Sequence, residues 1–229
     1  LLPGVEVRHI SASAALAEYL DTHGLSRVAK RLASSGIIDV VATASPGIDD
    51  IVVLGKIKQL ERSGDWDLVV VDGPAAGHAI TFLLAAKGLL ATVRGGPIAT
   101  QATDVAEMLA DAARCQVVLV TLPEATPVNE AVETAYALEE RVGVHLAPVV
   151  VNAVDDGPLL PVEAAKAGSP QQAAAEFRNA RRRLHADECA RLGTELALPQ
   201  IHLPMMPGAV LDAAGVDGLA AAWAGGSDA

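Results

Sequence analysis

The residues with the clearest chemical potential in this 229-residue sequence lie at positions 68–78, LVVVDGPAAGH. The apolar run predicts a buried strand, Asp72 falls at its carboxyl end, and a glycine-containing turn then opens a helix. A carboxylate is a ligand that Mg²⁺ accepts, directly or through water. Gly77 has no Cβ, so a backbone N–H there can approach a phosphate closely. The segment predicts a metal and phosphate site, and the same pattern also fits a helix cap.

Two further segments follow predicted strands. Asn152 ends the apolar run 148–151, and its amide has one acceptor and two donors, which suit the edge of an adenine. An asparagine that forms a turn explains the same position. The loop 203–208 contains Pro204 and Met205, which could pack on a base, or it is an ordinary loop.

A fourth segment, residues 45–50 (SPGIDD), opens a predicted helix at 48–63. Pro46 fits the first turn of a helix, and Asp49 and Asp50 are favoured at its positive N-terminal end. Local capping therefore explains much of this segment.

These segments must be positioned by an alternation of strands and helices. Strands are predicted at 5–10, 68–71, 116–122, 148–151 and 201–203, and helices at 13–22, 26–33, 48–63, 103–113, 130–142 and 171–192. The pattern is typical of an α/β fold, a parallel-stranded sheet with helices on both faces. We expect a single domain over 1–229, with a helical excursion at 155–195 that begins in a loop rich in glycine and proline.

Composition excludes several classes of protein. The chain has 17 basic and 28 acidic residues and a formal net charge of −11, which disfavours binding to nucleic acid. The one basic run, at 181–183, fits a solvated helix face. No apolar stretch reaches the roughly 20 residues needed to span a bilayer. Two cysteines exclude a disulfide framework and a Cys₄ zinc site, and they indicate a reducing cytoplasm.

Taken jointly, the motifs resemble the ArsA/Get3 branch of P-loop ATPases, and most closely its compact actinobacterial members. Residues 72–78 resemble the switch II segment of that branch, and residues 46–50 its Pro-Gly-Ile-Asp-Glu helix start. Leu122-Pro123-Glu124, followed by Glu130 and Glu133, is similar to its Pro-Glu segment. Val151-Asn152 matches its adenine-reading asparagine. Order and spacing agree from about residue 5 to residue 223.

The resemblance implies an ArsA-like (SIMIBI) P-loop NTPase architecture and an ATP- and Mg²⁺-dependent ATPase. It implies that Asp72 is the Mg²⁺-associated acid, Gly77 the γ-phosphate sensor and Asn152 the adenine reader. Pro204 and Met205 would flank the base, and His78 would lie beside the nucleotide, although a packed or turn-capping histidine fits equally. The protein would work as a nucleotide-gated dimer, either a homodimer or a heterodimer with a related ATPase.

The sequence also departs from that family. It contains no Gly-x-x-x-x-Gly-Lys-Ser/Thr phosphate loop, and Gly55-Lys56 lies inside a helical pattern. We therefore expect a part of a larger ATPase that lacks its N-terminal Walker A portion, and expect this stretch alone to be inactive. The alternative is a non-hydrolysing scaffold or regulatory subunit that pairs with an active relative. A Rossmann-type oxidoreductase is disfavoured because no Gly-x-Gly-x-x-Gly follows a strand.

Features that would identify a client are also missing. Only 3 methionines occur, so a methionine-rich insertion that shields a membrane helix is not expected, nor is stable membrane insertion. The family's paired zinc-bridging cysteines and arsenite-binding thiols have no match, and Cys115 and Cys189 fit packing positions. The client protein or membrane partner stays unassigned.

Overall fold

A computed structural model describes residues 4–22, 47–206, 208 and 211–226. The chain divides into two compact units. The first comprises Leu1–Cys115 with Arg141–Val144, and the second comprises Gln116–Glu140 with His145–Ala229. The predicted helix at 26–33 and the proline of the 45–50 segment lie outside the described residues.

Helices dominate the described part of the first unit. They are α1 (Ala12–Thr22), α2 (Ile48–Arg62), α3 (Ala76–Thr92) and α4 (Pro97–Ala110). The helices predicted at 13–22 and 48–63 are confirmed. The helix predicted at 103–113 begins earlier, because Pro97 fits a first helical turn, and it ends earlier, because Asp111 has extended backbone. Helix α2 packs against each of the other three and provides more of the buried side chains than any other helix of this unit.

A buried polar contact holds α2 to α4. Lys58 is only 8% exposed, and its Nζ donates to Oε1 of Gln101 and to Oδ2 of Asp104, both at 2.9 Å. A Cβ on Gly55 would fall 1.6 Å from Nε2 of Gln101, so glycine gives this side chain its place against α2. The Lys58 ammonium lowers the pKa of Asp104, chiefly through the hydrogen bond between them.

Two apolar segments of the first unit differ from prediction. Residues 5–10 and 68–71 are extended but belong to no strand among the described residues, and Val70 is 82% exposed. The prediction of a buried strand at 68–71 is therefore wrong for this structure, as is the strand at 5–10. The physical reason is that no described strand pairs with either segment and no described element covers them. The guanidinium of Arg8 lies 5.1 Å from the ring centroid of Trp66, two residues before the run at 68–71.

The second unit contains the sheets, and every strand pair in them is parallel. The strands are β1 (Gln116–Val117), β2 (Val120–Thr121), β3 (His145–Leu146), β4 (Val149–Val154) and β5 (Gln200–Pro204). Strand β1 pairs with β3, and the second sheet has the order β2-β4-β5. The predicted strand at 116–122 is thus divided. Pro148, which has no N–H to donate, lies opposite the break. The strands predicted at 148–151 and 201–203 are confirmed as β4 and β5, and each contains more residues than predicted.

Helices cover both faces of the three-stranded sheet. Helix α5 (Ala125–Ala137) continues as a π-helical turn (Leu138–Val142), and α6 (Pro170–Glu195) follows a 3₁₀ turn (Val162–Ala164). These two helices bury Val149 and Val151 of β4. Val150 and its partner Ile201 face the opposite side, because side chains alternate along a strand. There α7 (Ala213–Gly226), a helix that was not predicted, packs on β5.

The bounds of α5 and α6 refine the prediction. Helix α5 begins five residues before the predicted start at 130, directly after Glu124. Helix α6 begins where Ser169 accepts a hydrogen bond from the N–H of Gln172 (3.2 Å) and where Pro170 occupies the first turn. It ends at Glu195, so Gly193 lies inside the helix and does not terminate it. Within the described ranges, no helix combines the length and apolarity that a membrane span requires.

The Lys58 contact predicts a selective loss of stability. Replacing Asp104 by Asn leaves the buried ammonium without its carboxylate, and we expect a cost of about 1–3 kcal/mol in the free energy of unfolding at neutral pH. Because the folded pKa of Asp104 is lowered, the wild-type advantage is present above the ordinary value of 3.8 and disappears as pH falls through the lowered value. Thermal unfolding at several pH values measures both effects.

The matched control is Glu107→Gln, which removes the same charge from an exposed position of the same helix. We expect it to change the melting temperature little. Equal shifts for Asp104→Asn and Glu107→Gln at neutral pH would show that the buried contact adds no stability.

Candidate functional site

The predicted phosphate-side residues lie on one segment of the first unit. Asp72 is in the extended stretch, and Gly77 and His78 form the first turn of α3. The turn closes where the backbone N–H groups of His78 and Ala79 both donate to the carbonyl of Ala75, at 2.9 Å. The structure thus has the carboxylate four residues before the helix, which is the local order that the sequence predicts.

The N-terminus of α3 has no side-chain cap. Ala75 occupies the cap position, and the first turn contains no acidic residue. The first N–H groups of a helix lack partners within the helix and carry partial positive charge, so an uncapped N-terminus favours an anion. A Cβ added to Gly77 would meet no atom within 4 Å, so the side of this turn is open.

Asp72 and His78 are both exposed. Among the described residues, neither side chain has a hydrogen bond or an ion pair, so the structure does not show the packed or capping role for His78. In the same part of the chain, no three acidic, histidine or cysteine side chains cluster as a metal site would require. Asp72 therefore offers a single carboxylate. That fits Mg²⁺ carried in by phosphate groups, because Mg²⁺ keeps several waters and needs only one or two protein carboxylates.

The predicted base-side residues come together at one sheet edge in the second unit. Strands β4 and β5 are parallel, with Val154 opposite Pro204, so their carboxyl ends lie side by side. The N–H of Met205 donates to the carbonyl of Val154 at 2.9 Å. Asn152, Pro204 and Met205 are thereby placed at the edge where open α/β sheets bind ligands.

The backbone beside Asn152 is strained. Ala153 has φ of 58°, the one positive φ of a non-glycine among the described residues, and such conformations cost on the order of 1–3 kcal/mol. It coincides with a shift in the β4–β5 register between Val151 and Val154. The N–H of Ala153 donates to Oδ1 of Asn152 at 2.9 Å, which fixes the side-chain amide at the edge. The Asn152 side chain is exposed, and its Nδ2 has no partner in the described residues.

The sequence analysis missed the residues that support this edge. The loop after β4 is bound by α6. Arg178 donates to Oδ1 of Asp155 and to the carbonyl of Pro158, both at 2.8 Å, and Asn179 forms reciprocal hydrogen bonds with the backbone of Leu160 at 2.8 and 2.9 Å. His185 accepts from the N–H of Asp155 at 3.2 Å. The sequence signal that could have identified these supporting residues is the occurrence of two polar residues, Asn179 and His185, at buried positions of α6.

The six predicted site residues thus form two groups in different units. Asp72, Gly77 and His78 share the segment that opens α3, and Asn152, Pro204 and Met205 share the edge of the β2-β4-β5 sheet.

Comparisons with known proteins agree with this architecture. A family model described as "Anion-transporting ATPase" (ArsA) matches residues 7–94, which include the first group of site residues. The chain is 33% identical over 167 residues to ATPase BagA of Mycobacterium tuberculosis. The chain is also 33% identical over 167 residues to a Mycobacterium bovis protein whose name describes it as an inferred ATPase. The alignment covers 69% of this chain and 48% of each relative, so the chain spans about half the length of these relatives.

The predicted fold class is confirmed by the open parallel sheets with packed helices, which are consistent with the α/β P-loop NTPase fold of this family. The order of motifs, the fold and the two comparisons lead to one assignment. The chain belongs to the ArsA-type anion-transporting ATPase family.

Proposed function

We propose that the protein binds and hydrolyses ATP with Mg²⁺, and that this chain supplies the γ-phosphate sensor and the base subsite. Membership of the ATPase family and relatives named as ATPases support ATPase activity in general. One observation carries the finer proposal. The uncapped N-terminus of α3 follows Asp72, an exposed carboxylate without a described partner, and the side of its first turn is open at Gly77.

In this proposal each residue of the first group acts on the phosphate side. Asp72 holds Mg²⁺ or one of its waters, and the bound ion supplies neutralisation of charge on the phosphate oxygens. The N–H of Gly77 donates to the terminal phosphate in the space where no Cβ intrudes. His78 lies beside the nucleotide and adds a polar contact. The positive end of α3 favours the triphosphate over the diphosphate.

The second group recognises the base. Adenine presents an acceptor at N7 and a donor at N6, which match the Nδ2 and the remaining lone pair of the Asn152 Oδ1. Guanine has an acceptor at O6, which would oppose Oδ1. Pro204 and Met205 pack against the faces of the base, where the polarizable thioether of methionine suits an aromatic ring.

We propose that nucleotide binding acts through α3 on a dimer interface. Lys87 is the one formally charged residue in this 17-residue helix, and Leu90 remains exposed. A helix that is apolar on all sides favours burial, so a second subunit is a suitable cover. Phosphate binding at the helix start would order residues 72–78 and change how α3 meets a like or related ATPase subunit. We place the protein in the cytoplasm, where its two free cysteines stay reduced.

The second candidate is a non-hydrolysing subunit that pairs with an active relative. Titration of the full-length protein with a fluorescent ATP analogue separates the candidates, because the non-hydrolysing scaffold predicts no saturable Mg²⁺-dependent binding.

Asp72→Asn should lower Mg²⁺-dependent phosphate release by the full-length protein roughly 100-fold, because the neutral amide binds the cation and its waters weakly. Asp67→Asn is the matched control, an exposed acid in the same stretch, and should keep the wild-type rate. Equal rates for wild type and Asp72→Asn would remove Asp72 from its proposed role.

Gly77→Ala should separate folding from function. The added Cβ meets no atom in this structure, so the melting temperature should stay the same or rise slightly, as for the control Gly88→Ala in the middle of α3. A methyl group at the phosphate position should nevertheless reduce ATP hydrolysis by the full-length protein about 10–100-fold. Sedimentation of this variant should show no ATP-dependent dimerisation. Wild-type hydrolysis by Gly77→Ala would exclude a close phosphate contact there.

Asn152→Ala should weaken the preference for ATP over GTP by about 10-fold, equivalent to the 1–3 kcal/mol of one bidentate base contact. Competition of ATP and GTP against the fluorescent analogue measures the preference. Asn129→Ala, an exposed asparagine on α5, is the control and should leave it unchanged. An unchanged preference in Asn152→Ala would show that the amide does not read the base.

A further inference from the structure

A histidine that no motif predicts lies directly behind the proposed base subsite. We propose that His185 of α6 is a positioning residue for this subsite, and that its neutral ring holds the end of β4 in the conformation that presents Asn152 to adenine. The inference rests on the proposed function of Asn152.

The argument begins with one peptide unit, the one that joins Val154 to Asp155. Its carbonyl accepts from the N–H of Met205 at 2.9 Å, and its N–H donates to Nδ1 of His185 at 3.2 Å. Because a peptide unit is planar, its two polar groups turn together. His185 and Met205 therefore fix the same plane from opposite sides. This plane lies one peptide unit beyond the strained Ala153, whose N–H is bonded to Oδ1 of Asn152.

The surroundings of His185 require a neutral ring. The residue is 1% exposed, and both of its ring nitrogens face N–H donors: the backbone of Asp155 at Nδ1, and Nε of Arg181 at Nε2, 3.2 Å away. A neutral imidazole has one acceptor nitrogen, so it can accept from only one of these two donors. In this proposal the acceptor is Nδ1 and Nε2 carries the ring proton, whereas an imidazolium has no acceptor nitrogen. Protonation would therefore remove the bond to Asp155 and place a second positive charge against the Arg181 guanidinium.

Charged groups reach the ring from three elements. Arg181 lies on α6 itself, the Asp155 carboxylate follows β4, and Glu124 precedes α5, 4.0 Å from Arg181. The Asp155 carboxylate is already occupied by Arg178 at 2.8 Å. Burial is the largest cause that lowers the pKa of His185, and Arg181 adds to it, while Asp155 and Glu124 oppose the change.

The rest of the loop is anchored independently of His185. Arg178 and Asn179 hold Pro158 and Leu160 by side-chain hydrogen bonds to their backbone carbonyls. Loss of the His185 bond therefore removes one of the two hydrogen bonds that hold the 154–155 peptide, while the bond from Met205 remains and the loop stays bound to α6. The direct consequence is a base subsite that loosens, without general unfolding of the second unit.

The pH dependence follows from the lowered pKa. The neutral ring is retained above the ordinary histidine value of 6.5, and protonation sets in only as pH falls through the lower folded value. ATP affinity should therefore be highest at neutral pH and above, and should weaken on acidification. GTP affinity, which does not use the Asn152 contact, should change less.

Two variants of the full-length protein test the proposal. His185→Asn places an amide oxygen near the position of Nδ1, so it can accept from Asp155 and does not titrate. His185→Leu fills a similar volume without an acceptor. At about pH 7.5, His185→Leu should lose roughly 10-fold in preference for ATP over GTP, with KM for ATP raised and kcat near the wild-type value, whereas His185→Asn should retain the preference.

As pH is lowered below the ordinary histidine value of 6.5, through the lower folded pKa, the wild type should move toward the behaviour of His185→Leu, and His185→Asn should not change. A wild-type preference in His185→Leu, or wild-type pH dependence in His185→Asn, would overturn the proposal. Hydrogen exchange of the Asp155 amide, measured without nucleotide, gives a second test. It should be slow in the wild type and His185→Asn, and fast in His185→Leu. Equal protection in all three would also overturn it.

The outcomes distinguish this inference from the proposed function. If Asn152→Ala loses the ATP preference and His185→Leu keeps it, the base subsite stands and the positioning role of His185 fails. If Asn152→Ala keeps the preference, the base subsite itself fails, and the inference fails with it.

Discussion

The parallel pairing of β4 with both of its neighbours is the constraint on which the second unit depends. The strand is buried on both faces, with α5 and α6 on one side and α7 beyond its partner β5 on the other. An apolar strand in this position has to place its first polar residue beyond the covered region. Because all strands run in the same direction, the carboxyl ends of β4 and β5 meet at one edge. Asn152, Pro204 and Met205 are neighbours for that reason.

In the first unit, the predicted site residues are positioned by the start of a helix instead of by a sheet edge. No described side chain caps α3, and the turn before it contains glycine and proline with no acid beyond Asp72. A helix start of this kind retains its affinity for an anion, since no side chain of its own satisfies the first N–H groups. The stability of the helix comes instead from packing, since α2 contacts α3 and binds α4 through the buried Lys58.

Much of this arrangement could be predicted from local signals. Proline and a serine cap mark the start of α6, and a continuous apolar run marks β4. These elements, and β5 from the shorter run at 201–203, were placed to within a few residues. Helix α7 was missed because its alanine and glycine composition has weak periodicity and its burial depends on contact with β5. The run at 68–71 was interpreted as a buried strand from its composition alone. Burial requires a partner strand, and the described residues provide none.

Asp72 and Asn152 were singled out as the polar ends of apolar runs and Gly77 as the glycine of a turn. Pro204 and Met205 were singled out as the loop after the last strand, and His78 through the family resemblance. Their support was not, because the hydrogen bonds of Arg178, Asn179 and His185 join residues that are about 20 to 30 positions apart. No local spacing identifies which backbone groups a helix will bind at that range. A buried histidine at a core position of a helix is a sign that such a bond exists, but it does not name the acceptor or donor.

The exposed run at 68–71 also affects the tendency of this chain to aggregate. An extended, uncharged segment rich in valine is a template on which like segments of other molecules can add in register, which is the first step toward fibrous aggregates. Asp67 and Asp72 flank it, and charges in those positions act as gatekeepers against such stacking. The carboxylate of Asp72 thereby protects colloidal solubility as well, so neutralising it favours precipitation even in a molecule whose fold is intact.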